Sequence, residues 1–376
     1  MQVKVDRETL LKGVARTLGV VDRRGTMPIL SHFLLQAQDS KLLISATDLE
    51  VSFRGEYPAE VLEPGALTQP AHYFFNLIKE LPGESLELTG TEKSNLKIQV
   101  GDSHYQLHGL PADQFPPIPE ITDESLVQVD SPLLREMIDK TIFSVSADDL
   151  QYHLSGIFWQ RVDSETGYQL RLVSTDGHRL TLIERPLPES QQFAIEDGIL
   201  IPRKGVAEIS RLLAEEEQVS LGLSSKSLAL RVNDKYLFIR LLEKKFPDYR
   251  RIIPEAFNYR FALNRRQFFD TLRRISLLST DRFKGVVLKL APDHLEATFN
   301  NPEIGEGREV LPLVLETGDD AGLPLEIGFN ARYLLEPLNV MAGETVFLEV
   351  NDRDRPCRLM EHGAPDYFSI IMPMSL

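Results

Sequence analysis

The chain has one cysteine and one tryptophan among 376 residues. A single thiol, Cys357, rules out an internal disulfide framework and fits a reducing compartment, so a cytoplasmic location is expected. The eight histidines are scattered without metal-ligand spacing, and no Gly-x-x-x-x-Gly-Lys-Ser/Thr phosphate loop occurs. No metal, cofactor or nucleotide-driven step is expected. There is no apolar run near the roughly 20 residues that span a bilayer, and the opening Met1-Gln2-Val3-Lys4 lacks a basic-then-apolar leader. No membrane partner is expected. Positive charge is also in short supply: 41 Lys and Arg stand against 56 Asp and Glu, a net charge of −15. That excludes a chain coated in basic residues but leaves room for a local basic face on an acidic body.

What the sequence does have is an internal repeat. The phrase Phe246-Pro247-Asp248-Tyr249-Arg250-Arg251-Ile252-Ile253-Pro254 returns as Pro365-Asp366-Tyr367-Phe368-Ser369-Ile370-Ile371-Met372-Pro373, and a worn copy stands at Phe115-Pro116-Pro117-Ile118-Pro119. Caps at Asp6, Asp130 and Asn264 open amphipathic helices in step with these phrases. Their apolar stripes are Leu10, Leu11, Val14 and Leu18; then Leu134, Met137, Ile138, Thr141 and Ile142; then Phe268, Phe269, Leu272, Ile275 and Leu278. Strand-like runs follow each helix, then a second helix near 71–81, after Pro202 and after Asn330, then more strands. Short turns such as Asn233-Asp234 and Pro292-Asp293 favour antiparallel pairing. The expected architecture is α+β in three tandem domains, 1–124, 125–257 and 258–376, each with two helices laid on antiparallel sheet.

His178 beside Asp176, with Ser174 or Thr175 near, invites a catalytic reading. No Gly-x-Ser-x-Gly elbow exists, and sequence neighbours do not form a triad by adjacency, so no catalytic residue is assigned and no enzyme is expected. The basic residues are better placed. Lys12, Arg16 and Arg23 project away from the first stripe, and Arg266, Arg273 and Arg274 away from the third. The middle repeat is weaker: Arg135 and Lys140 are offset by Glu136 and Asp139, and Lys204 and Arg211 by Glu208 and Glu215.

The three repeats, the run Thr175-Asp176-Gly177-His178-Arg179-Leu180, the full closing phrase and the terminus Met372-Pro373-Met374-Ser375-Leu376 together resemble the bacterial replicative sliding clamps, the beta-subunit family of DNA polymerase III. The resemblance covers the whole chain. It implies a head-to-tail homodimer whose six domains form a ring around double-stranded DNA without sequence preference. It also implies partners docked on one face: the replicative polymerase catalytic subunit, a separate clamp loader, and other polymerases and repair proteins carrying clamp-binding peptides.

Residue by residue, the resemblance assigns DNA contact to Lys12, Arg16, Arg23, Arg24, Tyr152, Arg203, Lys204, Arg266, Arg273 and Arg274. It assigns a peptide groove first to Leu154, Thr175, Gly177, His178, Arg179 and Leu180. Pro247, Arg251, Ile252, Asn330 and Tyr333 extend that groove, and Ile370, Ile371, Met372, Pro373, Met374, Ser375 and Leu376 complete it. Leu154, Leu180, Ile252, Ile370 and Met372 would give apolar wall, with His178 and Arg179 for polar orientation. The seam of the ring falls to Tyr105 and Leu107 on one side and Leu277 and Leu278 on the other; without the resemblance Leu277 reads as core. Gln151, His153, Ser375 and His72 depart from residues common in relatives. A protein that kept the fold as a scaffold without DNA remains the rival reading; a single-strand binder would want more interleaved aromatic and basic residues.

Overall fold

Every repeat begins with a strand that delivers the chain to a helix. In the computed structural model, which describes residues 1–23, 25–91, 93–119, 126–148, 150–164, 167–193, 195, 198–224, 226–280 and 284–374, Asp6 closes the first strand and its carboxylate accepts from Thr9 N at 2.7 Å. Asn264 does the same for the fifth helix, accepting from Gln267 N at 3.0 Å. These caps satisfy amide donors that the first helical turn leaves open.

The first repeat runs β1 (Gln2–Asp6), α1 (Arg7–Thr17), β2 (His32–Gln38), β3 (Lys41–Thr47), β4 (Val51–Pro58), β5 (Glu60–Glu63), β6 (Gly65–Pro70), α2 (Ala71–Glu80), β7 (Ser85–Gly90), β8 (Leu96–Val100) and β9 (Ser103–Leu107). The second runs β10 (Val127–Asp130), α3 (Ser131–Asp139), β11 (Gly156–Ser164), β12 (Gly167–Thr175), β13 (Arg179–Pro186), β14 (Ile199–Pro202), α4 (Arg203–Leu213), β15 (Gln218–Leu223), β16 (Ser227–Val232) and β17 (Lys235–Arg240). The third runs β18 (Tyr259–Asn264), α5 (Arg265–Ser276), β19 (Gly285–Leu290), β20 (His294–Asn301), β21 (Gly305–Thr317), β22 (Leu325–Asn330), α6 (Ala331–Val340), β23 (Thr345–Val350), β24 (Cys357–Glu361) and β25 (Tyr367–Ile371).

The last strands β9, β17 and β25 start at 103, 235 and 367, which is 132 residues apart both times (235 − 103 and 367 − 235). The closing phrase does not keep that spacing, since its prolines at 116, 247 and 365 stand 131 and 118 apart. The structure shows why. In the third repeat the phrase is the last strand itself, β25. In the second it follows β17 and forms a short 3₁₀ turn at Tyr249–Ile252. The triplication is real, but the third phrase is not the structural counterpart of the other two.

The chain forms two compact units, residues 1–135, 189–194 and 204–242, and residues 136–188, 195–203 and 243–376. The first holds a five-stranded sheet, β5-β1-β7-β8-β9, and an eight-stranded one, β10-β15-β16-β17-β4-β3-β2-β6; the second holds a twelve-stranded sheet, β14-β11-β12-β13-β25-β24-β23-β18-β21-β20-β19-β22. Every pairing is antiparallel, as the short turns require. Within the first unit, α1 lays Leu10 and Val14, both fully buried, against β3 and β4. Gly13 permits the close approach: a Cβ there would meet Ile44 Cδ1 at 2.6 Å. Within the second, α5 seats Phe268 and Leu272, also fully buried, on β20 and β21. Each such side chain contributes about 1.5–3 kcal/mol by leaving water. Cys357 is buried and packs as a small apolar residue, its thiol pushed up to about 12 by desolvation.

Candidate functional site

The β12–β13 turn is built by its own side chains. Asp176 Oδ1 accepts from His178 N at 3.0 Å and from Arg179 N at 3.1 Å. Thr175 Oγ1 donates to the Arg179 carbonyl at 2.5 Å and accepts from Gly177 N at 3.1 Å. Gly177 sits at φ +86°, a conformation that a side chain would strain. The turn therefore holds the His178 imidazole out at its tip, exposed.

Beside it, β13 pairs with β25, Arg179 opposite Ile371 and Leu180 opposite Ile370. Past β25 the chain stays in hydrogen-bonding reach: Met372 N donates to His178 O at 2.9 Å and Met374 N to Gly328 O at 2.8 Å. Met372 and Met374 are exposed there, soft surface that can conform to more than one ligand. The opposite wall is α6. Asn330 caps it by accepting from Arg332 N at 3.1 Å, and Tyr333 lies nearly parallel to His178, ring centroids 6.3 Å apart at 16°. Burial, then the nearby Asp176 carboxylate, raises the Tyr333 phenol above its ordinary value.

Several expected groove residues take a different position from the one their type suggested. Leu180 and Ile370 are each 1% exposed and Ile371 is fully buried, so they make the floor. Leu154 lies under the turn, its Cδ1 4.0 Å from where a Gly177 Cβ would be. Arg179 is 5% exposed and spends its donors inside the protein, with Nε 3.0 Å from Asp176 Oδ2, Nη2 on the Phe143 carbonyl and Nη1 against Glu336. At this turn His178 is exposed while Arg179 is buried. Pro247, Arg251 and Ile252 are exposed on a segment anchored to β11, where Phe246 stacks on Phe158 at 5.0 Å and the Tyr249 hydroxyl donates to Gln160 Oε1 at 2.9 Å. Ser375 and Leu376 lie outside the described residues.

The basic residues differ in exposure and in pairing. Lys12, Arg203, Arg266 and Arg273 are exposed, as is Tyr152. Arg266 also lies 3.9 Å from Asp270, and others are engaged more closely, Arg23 and Arg274 while exposed. Arg16 pairs with Glu215, Lys204 with Asp48 and the Val20 carbonyl, Arg274 with Glu309, and Arg23 Nη2 lies 2.8 Å from His72 Nδ1. Burial, then Arg23, lowers the His72 pKa, which favours its neutral form. Arg24 lies outside the described residues. Between α1 and α4 is a cleft of about 750 Å³ lined by Lys12, Arg16, Arg211 and Lys235 together with Glu208 and Glu215. No composition argument could have located it.

Among the described residues the sheet-end strands β5, β6, β9, β10, β14 and β22 keep an open edge, and so does part of β21. β9 has only β8 beside it, and residues 305–312 of β21 have only β20. Leu277, which reads as core without the resemblance, is 77% exposed, because α5 ends at Ser276 and Leu277 is its C-cap. Leu278 is half-buried beside Gly307, whose Cβ position lies 3.0 Å from Leu278 Cδ1. On β9, Tyr105 is exposed and Leu107 half-buried. Among the described residues no group of His, Cys, Asp and Glu could hold a metal ion, and no helix is long and apolar enough to cross a membrane.

Three family models match the chain in succession: the DNA polymerase III beta subunit N-terminal domain over residues 1–119, the central domain over 128–248 and the C-terminal domain over 250–375. The beta sliding clamp of Pseudomonas putida is 35% identical over 378 residues, all of both chains being covered. Among solved structures, the Caulobacter crescentus beta sliding clamp, with polyethylene glycol in a putative beta-motif tethering region, superposes at TM-score 0.91 with 32% identity. A sliding clamp from Bartonella birtlesii bound to griselimycin does so at 0.92 with 30% identity, again over the full length of both chains.

Proposed function

The chain belongs to the DNA polymerase III beta-subunit family, the sliding clamps, and from that premise we propose how its own residues carry out the task. The protein is a DNA processivity factor: it encloses duplex DNA as a ring and binds the proteins it holds there. Enclosure supplies the hold, so contacts to the duplex need only centre it, and strong or base-specific ones would impede sliding. An acidic chain with a few exposed cations suits that division of labour.

The observation that carries the ring is a pairing rule with one case left over. In the first unit the last strand of the second repeat, β17, pairs with the fourth strand of the first, β4. In the second unit β25 of the third repeat pairs in the same way with β13 of the second. The same rule would join β9 to β21, and each of these has an open edge. Two copies meeting head to tail satisfy both edges twice and close the ring. Tyr105 and Leu107 on β9 would then pack over Leu277 and Leu278, with domain boundaries near 1–124, 125–257 and 258–376.

Duplex contact is proposed for Lys12, Arg16, Arg23, Arg24, Tyr152, Arg203, Lys204, Arg266, Arg273 and Arg274, with the exposed members making most of it. The groove between the β12–β13 turn, α6 and the C-terminal methionines takes short peptides with an apolar anchor. Its proposed visitors are the replicative polymerase catalytic subunit, the clamp loader, and other polymerases and repair proteins. Primer extension on a long circular template tests this. Full-length protein with loader and polymerase should give long products, and removal of residues 372–376 should return short ones while the dimer persists. Undiminished synthesis by the truncated chain would reject the groove.

A further inference from the structure

The Arg179 guanidinium is shut away from water, where a cation is tolerated only if paired and hydrogen-bonded. Two carboxylates pair with it, and they come from different elements. Asp176 belongs to the turn itself and is fully occupied there, accepting from two backbone amides through Oδ1 and from Arg179 Nε through Oδ2. Glu336 comes from α6, the opposite wall. One of its oxygens faces Arg179 Nη1, and the other accepts from Arg332 Nε at 2.8 Å on the helix surface. The Arg179 and Glu336 atoms that face each other are both buried and pair by charge, without an aligned hydrogen bond.

Tyr333 stands one helical turn before Glu336, so both present to the same guanidinium. The carboxylate meets Nη1 while the guanidinium carbon lies over the Tyr333 ring, 4.6 Å from its centroid. That ring also lies nearly parallel to the exposed His178. Turn, cation, carboxylate and aromatic wall thus form one geometry. We infer that Glu336 is a positioning residue of the peptide groove, locking Arg179 against Tyr333 and so setting how tightly a partner peptide binds. This rests on the groove reading above. It also assigns the cation a purely internal task, so the favoured ligand needs an apolar anchor and no acidic side chain at this turn.

The test uses the full-length dimer and a fluorescein-labelled octapeptide carrying a Leu-Phe pair. Glu336→Gln keeps the side-chain shape and one acceptor but removes the charge, and should weaken binding about tenfold. Arg179→Lys, which lacks the planar fork, should cost a similar factor, and the double variant little more, since both act through one contact. The His178 ring-proton NMR resonances should shift in both single variants as Tyr333 moves. Unchanged affinity in Glu336→Gln, with binding lost in His178→Ala, would overturn the inference and leave the groove standing. If His178→Ala also bound normally, the groove reading would fall first. A loss of melting temperature and DNA retention matching the loss of peptide affinity would make Glu336 merely structural and overturn the inference too.

Discussion

The hydroxyls of Thr181 and Ser369 meet at 3.0 Å across the β13–β25 pairing, where the two residues are also register partners. Thr181 is simultaneously 2.7 Å from Ser144 Oγ, so three buried hydroxyls form one chain through the sheet. A buried polar group left without a partner costs roughly 1–3 kcal/mol. Thr181→Val should therefore destabilise the fold by more than Ser369→Ala, which strands only one end of the chain. Urea midpoints for the two variants measure the difference, and equal midpoints would mean that the chain of hydroxyls contributes nothing as a set.

The exposed apolar end of α5 is expected to be covered in the ring. Leu277→Glu with Leu278→Glu should give a folded monomer in sedimentation velocity, with far-ultraviolet circular dichroism unchanged. A persistent dimer would remove these leucines from the seam.

Cations that are exposed and cations that are already paired should behave differently. Lys12→Ala with Arg273→Ala should shorten the residence time on circular DNA severalfold and flatten its dependence on salt, by about 0.9 in log-log slope for each phosphate no longer neutralised. Lys204→Ala removes an ammonium held by Asp48 and the Val20 carbonyl, so its main effect should be a lower melting temperature. Residence times across a salt series, set beside melting curves, separate the two.

Glu208 gives a pH dependence of definite sign. Burial raises its carboxyl above the ordinary 4.5, against the pull of Arg211. Unfolding returns the group to its ordinary value, so just above pH 4.5 the native chain holds more of this proton than the unfolded chain does. Stability from this group falls as pH rises through that window, and above it the buried charge is a standing cost. Its partner Arg211 is largely exposed, so their pairing offsets little. Glu208→Gln should melt higher than the parent at pH 8, with the gap closing as pH falls to 4.5. A lower melting point at pH 8 would show that the ion pair outweighs the burial.

Local signals in the sequence carried the helices and the number of repeats. Asp6 and Asn264 announce their helices because a cap and a 3.6-residue stripe are set within one or two turns. Strand partners are another matter. Nothing near Leu180 says that Ile370 lies opposite, and nothing in β9 or β21 says that each keeps an open edge, because ladder pairing is decided by chain returning from far away. The closing phrase misled for the same reason, its third copy being a strand and its second a turn. In the groove, residue type suggested Arg179 as a ligand contact. Only the packing shows it committed to Asp176 and Glu336, and Glu336 itself looks in sequence like any solvated helix position.

Retention on DNA is the most direct measurement. The dimer is loaded on nicked circular duplex, freed of its loader by gel filtration, and followed before and after a single restriction cut. Enclosure without grip predicts stable association with the circle and rapid loss once ends exist. Equal retention on the cut DNA, or equal binding to linear duplex from the start, would contradict it.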